Sequence, residues 1–216
     1  MQMGEQALSI ENTGVIVVDV QADFTELKSG SLAVPGTDAQ YVSDVETATR
    51  RYLDRGHLVY FTQDWNPADH VSFFTNNSGA EPMQVIEIDG RPQVMWPPHC
   101  VQDTPGAEIL ITAEGSTKTV RKGMDAKYDS YSGFADDGGL KTEMDSLLRK
   151  DGIKNLIIFG LATDYCVKAT AIDAVDAGYK VTVIEGLSKG VAPETTARAL
   201  EDMKAKGIII KAELAM

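Results

Sequence analysis

The chain has 216 residues, of which 43% are apolar, so it can bury a large core, and we expect one domain over residues 1–216. Aspartate and glutamate outnumber lysine and arginine by 32 to 20, which argues against a nucleic-acid partner. The N-terminal stretch MQMGEQALSIEN lacks a signal peptide's basic start and apolar core, and no apolar run is long enough to span a membrane. We therefore expect a cytoplasmic protein without a membrane partner, in which the two cysteines, Cys100 and Cys166, are free thiols.

Short β-branched segments alternate with longer amphipathic segments, which is typical of parallel strands joined by crossover helices. Gly56 marks the end of the first helix. The expected strands cover residues 13–20, 57–64, 117–123, 153–160, 179–186 and 208–213, and the expected helices cover 41–56, 140–152, 164–178 and 193–207. Six parallel strands with helices on both faces predict an α/β fold, a three-layer α/β/α sandwich with a six-stranded parallel sheet.

Residues 63–116 interrupt this alternation. They are rich in proline, asparagine and glycine, and they contain one expected hairpin, residues 83–96, with its turn at residues 89–90. An insertion of this length in a compact domain usually carries function. The segment also holds two of the three histidines, His70 and His99, so we expect it to contribute to a metal and substrate site.

Polar or reactive residues follow four of the expected strands. The first three of these strands end in Asp19, Asp64 and Lys122, and the fourth leads into the turn that carries Cys166. Because ligands of open parallel sheets bind beyond the carboxyl ends of the strands, these side chains form a candidate site. Cys166 stands where a helix begins, and the helix dipole and free N–H groups there lower the pKa of a thiol. The alternative is a small buried hydrophobic residue that packs on the sheet.

Asp19 and Lys122 have chemical interpretations beside structural ones. Asp19 follows four apolar residues, so burial should raise its pKa and suit it to proton transfer, whereas the alternative is a helix cap or loop anchor. Lys122 taken alone would be a surface lysine. Between Asp19 and Cys166, however, its ammonium would hold both anions in place. The three residues together predict an Asp–Lys–Cys site for attack on a carbonyl carbon.

The segments DWNPADH (64–70) and WPPHC (96–100) indicate a metal site. Asp64, His70 and His99 would supply one carboxylate and two imidazoles, a common catalytic ligand set for zinc or iron. Two prolines fix the backbone in front of His99, as a rigid ligand requires. His70 taken alone could equally be a loop histidine that binds nothing.

Four aromatic residues are expected on loops near the same edge of the sheet, where a flat ring could bind between them. Packing in the core is the alternative for any single one of them. These residues are Phe24, Trp65, Trp96 and Tyr131.

Five motifs resemble those of the nicotinamidase/pyrazinamidase branch of the isochorismatase-like cysteine hydrolases. They stand in the order and approximate spacing of that family over nearly the whole chain: VDVQADF (18–24), DWNPADHVSF (64–73), WPPHC (96–100), RKGMDAKYDSYSGF (121–134) and GLATDYCV (160–167). The resemblance implies an isochorismatase-like, Rossmann-like topology and a catalytic triad of Asp19, Lys122 and Cys166. It further implies a cis peptide bond before Ala162, with the N–H groups of Ala162 and Cys166 forming an oxyanion hole. The pocket residues that it implies are Phe24, Trp96 and Tyr131.

One departure from the family pattern affects the metal site. The family usually has histidine two residues after the aspartate, where this chain has Asn66. Either the side-chain oxygen of Asn66 coordinates the metal, or His70 supplies the missing imidazole. The candidate ligands are therefore Asp64, Asn66, His70 and His99. The resemblance implies a divalent metal that helps to hold a pyridine nitrogen, with zinc expected and iron or manganese as alternatives.

The activity that the resemblance implies is hydrolysis of a linear amide C–N bond. Nicotinamide would be converted to nicotinate and ammonia through a thioester on Cys166, as a step in NAD salvage and pyridine nucleotide biosynthesis. One alternative is an amidase of the same superfamily for another small amide, of the carbamoyl or maleamate type. A second alternative is a non-catalytic protein that binds a metal or a metabolite. The sequence leaves a homo-oligomer open.

Overall fold

The computed structural model describes residues 12–213 and contains a six-stranded parallel sheet. The strands are β1 (Thr13–Val18), β2 (Leu58–Asp64), β3 (Val85–Ile88), β4 (Arg91–Val94), β5 (Thr117–Lys122), β6 (Asn155–Leu161), β7 (Lys180–Lys189) and β8 (Ile209–Lys211). The α-helices are α1 (Ala39–Asp54), α2 (Met144–Lys150), α3 (Lys168–Asp176) and α4 (Pro193–Ala205). The large sheet has the strand order β5-β2-β1-β6-β7-β8, and β3 pairs with β4 in a separate antiparallel hairpin.

The two faces of the sheet are covered by different helices. Val15 and Val17 of β1 belong to a buried cluster that includes side chains of α1. Ile16 and Val18 belong to a second buried cluster, which includes side chains of α2, α3 and α4. Successive residues of a strand point to opposite faces, so this alternation shows one layer of helix on each side of the sheet. The predicted three-layer α/β/α sandwich is confirmed.

Several boundaries differ from the expected ones. Helix α1 begins at Ala39, because the side chain of Asp38 accepts a hydrogen bond from the N–H of Tyr41 and caps the helix earlier than expected. The helix expected at residues 164–178 is in two parts, a five-residue π-helix, Thr163–Val167, followed by α3. The hairpin turn at residues 89–90 is confirmed. None of the helices among residues 12–213 is long and apolar enough to cross a membrane.

Gly160 allows the end of β6 to lie close to the end of β1. It has a φ angle of 127°, and the pairing of β6 with β7 shifts register between Ile158 and Gly160. A Cβ atom at this position would lie 2.2 Å from the carbonyl oxygen of Val18. Only glycine therefore lets the two strand ends approach so closely, and this approach brings the segment after β6 next to Asp19.

Candidate active site

The strand order brings the expected site residues to one edge of the sheet. Strands β5, β2, β1 and β6 are neighbours, and Asp64 at the end of β2 pairs in register with Lys122 at the end of β5. Val18, the residue before Asp19, pairs with Gly160, six residues before Cys166. The carboxyl ends of these four parallel strands therefore meet at one place, as expected for the ligand site of an open parallel sheet.

Lys122 lies at the centre of a buried cluster of charges. Its Nζ atom is 2.9 Å from Asp19 Oδ2, and both side chains are fully buried. The same ammonium donates to Asp64 Oδ1 and, at 2.7 Å, to the carbonyl oxygen of Ser130. It lies 3.6 Å from Cys166 Sγ. The structure thus brings Asp19, Lys122 and Cys166 together, and it adds a contact from Asp64 that sequence reasoning missed.

Burial and charge set the protonation of this cluster. Burial disfavours the Lys122 ammonium, but the neighbouring carboxylates of Asp19 and Asp64 raise the pKa of Lys122 well above its ordinary value. Burial also raises the pKa of Asp19, an effect that the Lys122 charge partly offsets. Lys122 therefore stays charged, whereas Asp19 holds a proton more readily than an ordinary aspartate does.

Thr62 of β2 orients the Asp19 carboxylate. Its hydroxyl donates to Asp19 Oδ1 at 2.6 Å and accepts a hydrogen bond from the backbone N–H of Asp19 at 3.1 Å. These two bonds hold Asp19 in a left-handed backbone conformation, with φ 47°. Apart from its ion pair with Lys122, the buried Asp19 Oδ2 atom accepts no well-aligned hydrogen bond from any group among residues 12–213. This oxygen is therefore available to accept a proton.

Cys166 is the fourth residue of the π-helix Thr163–Val167. The N–H groups of Tyr165 and Val167 both donate to the carbonyl oxygen of Ala162, at 3.0 Å and 3.1 Å. The peptide bond between Leu161 and Ala162 is cis, as the family resemblance implies. One π-helical turn inside a longer helix is frequently found at functional sites.

The expectation that the helix terminus lowers the pKa of the Cys166 thiol is wrong. Burial raises the pKa of Cys166 well above its ordinary value, and the carboxylates of Asp19 and Asp64 add to this effect against the opposing charge of Lys122. The helix terminus does not override desolvation, because Cys166 is only 8% exposed. The resting thiol is protonated and needs a base. Both Cys100 and Cys166 are free thiols, as expected.

A cavity opens beside Cys166 and is lined by aromatic and aliphatic side chains together with a few polar ones. Three expected pocket residues line it, namely Phe24, Trp96 and Tyr131. Trp65 does not, because its ring lies under the guanidinium of Arg121, 3.9 Å from the Arg121 Cζ atom. The other residues of the lining are Leu32, Val34, Asp64, Asn66, Ser72, His99, Asp129, Ser130, Leu161, Ala162, Tyr165 and Val191.

Tyr165 is an aromatic member of this lining that sequence reasoning missed. Its ring meets Trp96 edge to face, with centroids 5.3 Å apart and planes at 84°. It also lies 5.8 Å from the ring of Tyr131. The signal that could have identified Tyr165 is its place in the motif GLATDYCV, immediately before Cys166.

Asp64 and His99 are arranged so that both could bind one cation. His99 Nε2 lies 3.8 Å from Asp64 Oδ2, and His99 Nδ1 is 2.8 Å from the carbonyl oxygen of Pro97. That bond assigns the proton to Nδ1 and leaves the Nε2 lone pair toward Asp64. Burial lowers the pKa of His99, which keeps the imidazole neutral. A neutral imidazole and an aspartate are the forms that bind metals.

Asn66 lies beside this pair. Its Nδ2 donates to the carbonyl oxygen of His99 at 3.1 Å, which fixes the amide. Its Oδ1 faces Gly123, where a Cβ atom would lie 2.3 Å from Asn66 Oδ1 and 3.5 Å from Asp64 Oδ1. The amide oxygen of Asn66 and the carboxylate of Asp64 therefore both lie close to Gly123. An amide oxygen is a harder and weaker ligand for zinc than an imidazole.

The hydrogen bonds of His70 do not favour it as a metal ligand. His70 Nδ1 is 2.8 Å from the hydroxyl of Ser72, and His70 Nε2 is 3.1 Å from the carbonyl oxygen of Tyr128. Both ring nitrogens are therefore engaged within the protein. Across residues 12–213, no three side chains of His, Cys, Asp or Glu are grouped to hold a metal ion. The fitting donor set is Asp64 and His99 with the amide oxygen of Asn66.

The family model described as "Isochorismatase domain" matches residues 13–213, and the chain belongs to this family. It is 42% identical over 201 residues to the nicotinamidase of Escherichia coli, with 89% of this chain and 91% of that protein covered. It is 36% identical over 200 residues to the nicotinamidase/pyrazinamidase of Mycobacterium tuberculosis, with 90% and 95% covered. Both matches place the chain in the branch that the five motifs indicate.

Solved structures give the same assignment. The structure "Acinetobacter baumanii nicotinamidase pyrazinamidease" matches with a TM-score of 0.83 at 34% identity, covering 95% of this chain and 97% of that one. The pyrazinamidase of Pyrococcus horikoshii, solved in complex with zinc, matches with a TM-score of 0.74 at 35% identity, covering 93% and 98%. The resemblance drawn from the five sequence motifs is confirmed.

Proposed function

We propose that the chain is a nicotinamidase, which hydrolyses the linear amide C–N bond of nicotinamide to give nicotinate and ammonia. The observation that carries this proposal is the buried contact of Lys122 with Asp19 and Cys166 beside an aromatic cavity. The 42% identity to the Escherichia coli nicotinamidase, over most of both chains, supports the choice of substrate. The activity belongs to the salvage of the pyridine ring for NAD.

The first step is attack by Cys166 on the amide carbon. Asp19 Oδ2 takes the proton of the thiol, because it is buried beside Lys122 and is available to accept a proton. The thiolate then forms a bond to the amide carbon, and the electrons of the C=O bond move to oxygen. The N–H groups of Ala162 and Cys166 hold this oxyanion, and removing one such donor costs about 3 kcal/mol in other enzymes.

The second step releases ammonia and then nicotinate. Asp19 returns the proton to the departing amide nitrogen, and the C–N bond breaks to leave a thioester on Cys166. Water attacks the thioester carbon while Asp19 takes its proton, which finally returns to the Cys166 sulfur. Lys122 does not transfer a proton in this scheme. Its charge holds Asp19 in place throughout, consistent with the raised pKa of Lys122.

The cavity walls would bind the pyridine ring. Phe24, Trp96 and Tyr131 line the cavity together with Tyr165, and flat rings bind well between aromatic side chains. The partner is thus a small neutral aromatic amide. Location in the cytoplasm and the assembly of subunits stay predictions from the sequence.

Asp64 and His99, with the amide oxygen of Asn66, would hold a divalent metal at one side of this cavity. We take zinc as the metal, with iron or manganese as alternatives, because the Pyrococcus horikoshii relative is in complex with zinc. When bound, the metal would supply a Lewis-acid contact for the ring nitrogen. With only two strong protein ligands, we expect a cation that is more easily removed than one held by two imidazoles and a carboxylate.

A panel of amides tests the proposed function. Ammonia release would be measured for nicotinamide, pyrazinamide, a carbamoyl compound and a maleamate. The proposal requires turnover of nicotinamide and pyrazinamide. Turnover of only the carbamoyl compound or the maleamate would replace nicotinamide by another amide substrate, and no ammonia from any of the four would indicate a non-catalytic binding protein.

A further inference from the structure

Asp129 has no part in the chemistry described above, yet it lines the same cavity as Cys166. Its Oδ2 atom accepts hydrogen bonds from Gln93 Nε2 at 2.6 Å and from the Tyr131 hydroxyl at 3.0 Å. We propose that Asp129 is a positioning residue that fixes Tyr131 and Trp96 as one wall of the ring-binding cavity and thereby sets the KM for aromatic amides. This inference rests on the proposed function and concerns the specificity of the same site.

Donors and acceptors follow a fixed order in this wall: Trp96 donates to Tyr131, and Tyr131 donates to Asp129. An indole N–H can only donate, so Trp96 Nε1 donates to the Tyr131 hydroxyl oxygen, 3.1 Å away. The single proton of Tyr131 is then free to point at Asp129. Burial raises the pKa of Tyr131, which keeps this hydroxyl protonated and able to donate. Removal of the Asp129 acceptor would leave Tyr131 without a fixed orientation, and Trp96 would lose its ordered acceptor.

Gln93 connects the carboxylate to the hairpin of β3 and β4. The residue is buried and lies in β4, and its Nε2 donates both to Asp129 and, at 3.0 Å, to the carbonyl oxygen of Val94. Asp129 therefore joins the hairpin to the loop after β5 at the wall of the cavity. The hydrogen bonds that Asp129 accepts from Gln93 and Tyr131 favour one arrangement of these side chains.

The orientation of Trp96 and Tyr131 matters because a third ring packs on both of them. Tyr165 contacts Trp96 edge to face at 5.3 Å and Tyr131 at 5.8 Å. A change in either ring would alter the surface that a planar substrate meets. The reacting atoms lie elsewhere in the site, at the contact of Lys122 with Asp19 and Cys166. Asp129 is therefore expected to act on substrate binding more than on the chemical step.

The fluorescence of Trp96 can be used to measure how well this wall of the cavity is ordered. The chain has two tryptophans, so the substitution Trp65→Phe leaves Trp96 as the single fluorophore. In this background, Asp129→Leu removes the acceptor, Tyr131→Phe removes the hydroxyl that links it to Trp96, and Asp129→Asn keeps an acceptor oxygen. Glu87→Gln removes an exposed negative charge from β3 and serves as the charge control. Acrylamide quenching of Trp96 and steady-state kinetics with nicotinamide are measured for each protein.

We expect Asp129→Leu to raise KM about tenfold while kcat changes by less than about threefold, with stronger quenching of Trp96. Tyr131→Phe should increase quenching in the same way, and Asp129→Asn should recover most of the lost affinity. Unchanged KM and quenching in Asp129→Leu would overturn the inference. So would a Glu87→Gln variant with the same loss of affinity, because charge alone would then explain the effect.

Two readouts separate this inference from the proposed function. If the parent protein does not hydrolyse nicotinamide, the proposed function fails, and the quenching of Trp96 still decides whether Asp129 holds the wall. If Asp129→Leu does not fold, Tyr131→Phe decides: increased quenching supports the hydrogen-bonded wall, and unchanged quenching contradicts it.

Discussion

Lys122 Nζ lies 2.9 Å from Asp19 Oδ2, and neither side chain is exposed to solvent. Two opposite charges at this distance without water interact strongly, and removal of one would leave the other buried and unpaired. The charge of Lys122 therefore influences the pH above which Asp19 is unprotonated and can act as a base. Asp64, which also contacts the ammonium, makes the cluster net negative when both carboxylates are ionised.

The first prediction concerns pH. Asp19 must be unprotonated to take the thiol proton, and burial raises its pKa, so it stays protonated to a higher pH than an ordinary aspartate. We expect kcat/KM to fall as the pH drops through this raised pKa, and the raised pKa of Lys122 to keep the ammonium charged on the alkaline side. Measurement of kcat/KM between about pH 4 and pH 9 checks this. An acid limb at or below about pH 4, the ordinary aspartate range, would contradict it.

The second prediction concerns Thr62, whose hydroxyl both donates to the Asp19 carboxylate and accepts from its N–H. Thr62→Val keeps the shape of the side chain but removes both bonds. Because a hydrogen bond to a charged group contributes roughly 1.5–3 kcal/mol, we expect kcat/KM to fall about 10- to 100-fold. Thr62→Ser keeps the hydroxyl and should remain within about threefold of the parent. Equal activity of the valine and serine variants would show that Thr62 does not orient the base.

The third prediction concerns the metal. Asn66→His places an imidazole beside Asp64 and His99, so we expect zinc to bind at least about tenfold more tightly than in the parent chain. His70→Asn is the matched control and should leave zinc affinity unchanged, because both His70 nitrogens bond within the protein. Zinc content after dialysis against a graded series of chelators gives both affinities. Loss of zinc in His70→Asn would restore His70 as a ligand.

The fold was predictable because its signals are local. Most strands of the large sheet are apolar, β-branched runs, whereas β5 (TKTVRK) combines threonine and valine with basic residues. Helical periodicity separates most of the strands, so the layers and the order of elements followed. The residues at the strand ends were also predictable, since parallel strands share one edge. Asp19, Lys122 and Cys166 are found together there, and their roles in the reaction stay predictions.

The remaining site features depend on register and on side-chain direction, which residue patterns do not specify. The contact of Asp64 with Lys122 follows from the pairing of β2 with β5, where the two residues are opposite each other. His70 turns toward Ser72 and the Tyr128 carbonyl because of the path of its own loop. The pKa of Cys166 depends on burial in three dimensions, so its helical position alone gave the wrong direction.

The fourth prediction concerns the strand ends. Gly160 has a φ angle of 127°, and a Cβ atom there would lie 2.2 Å from the carbonyl oxygen of Val18. We expect Gly160→Ala to lower the free energy of unfolding by about 3 kcal/mol or more, since both the backbone conformation and the steric contact are unfavourable. Gly152→Ala is the control, because Gly152 has a φ of 72° but no atom within 4 Å of an added Cβ. It should cost only about 1 kcal/mol.

Urea denaturation of the two glycine variants gives both free energies. A loss for Gly160→Ala no larger than that for Gly152→Ala would mean that β1 and β6 can separate at their ends without cost.

The central claim is that Cys166 forms the covalent bond to substrate, and its most direct test is mass spectrometry of protein quenched with acid during turnover of nicotinamide. We predict a nicotinoyl adduct on the peptide that contains Cys166, and neither adduct nor ammonia release above background from Cys166→Ala, whose fold should be unchanged. Ammonia release by Cys166→Ala at the parent rate, or an adduct on any other residue, would contradict the account.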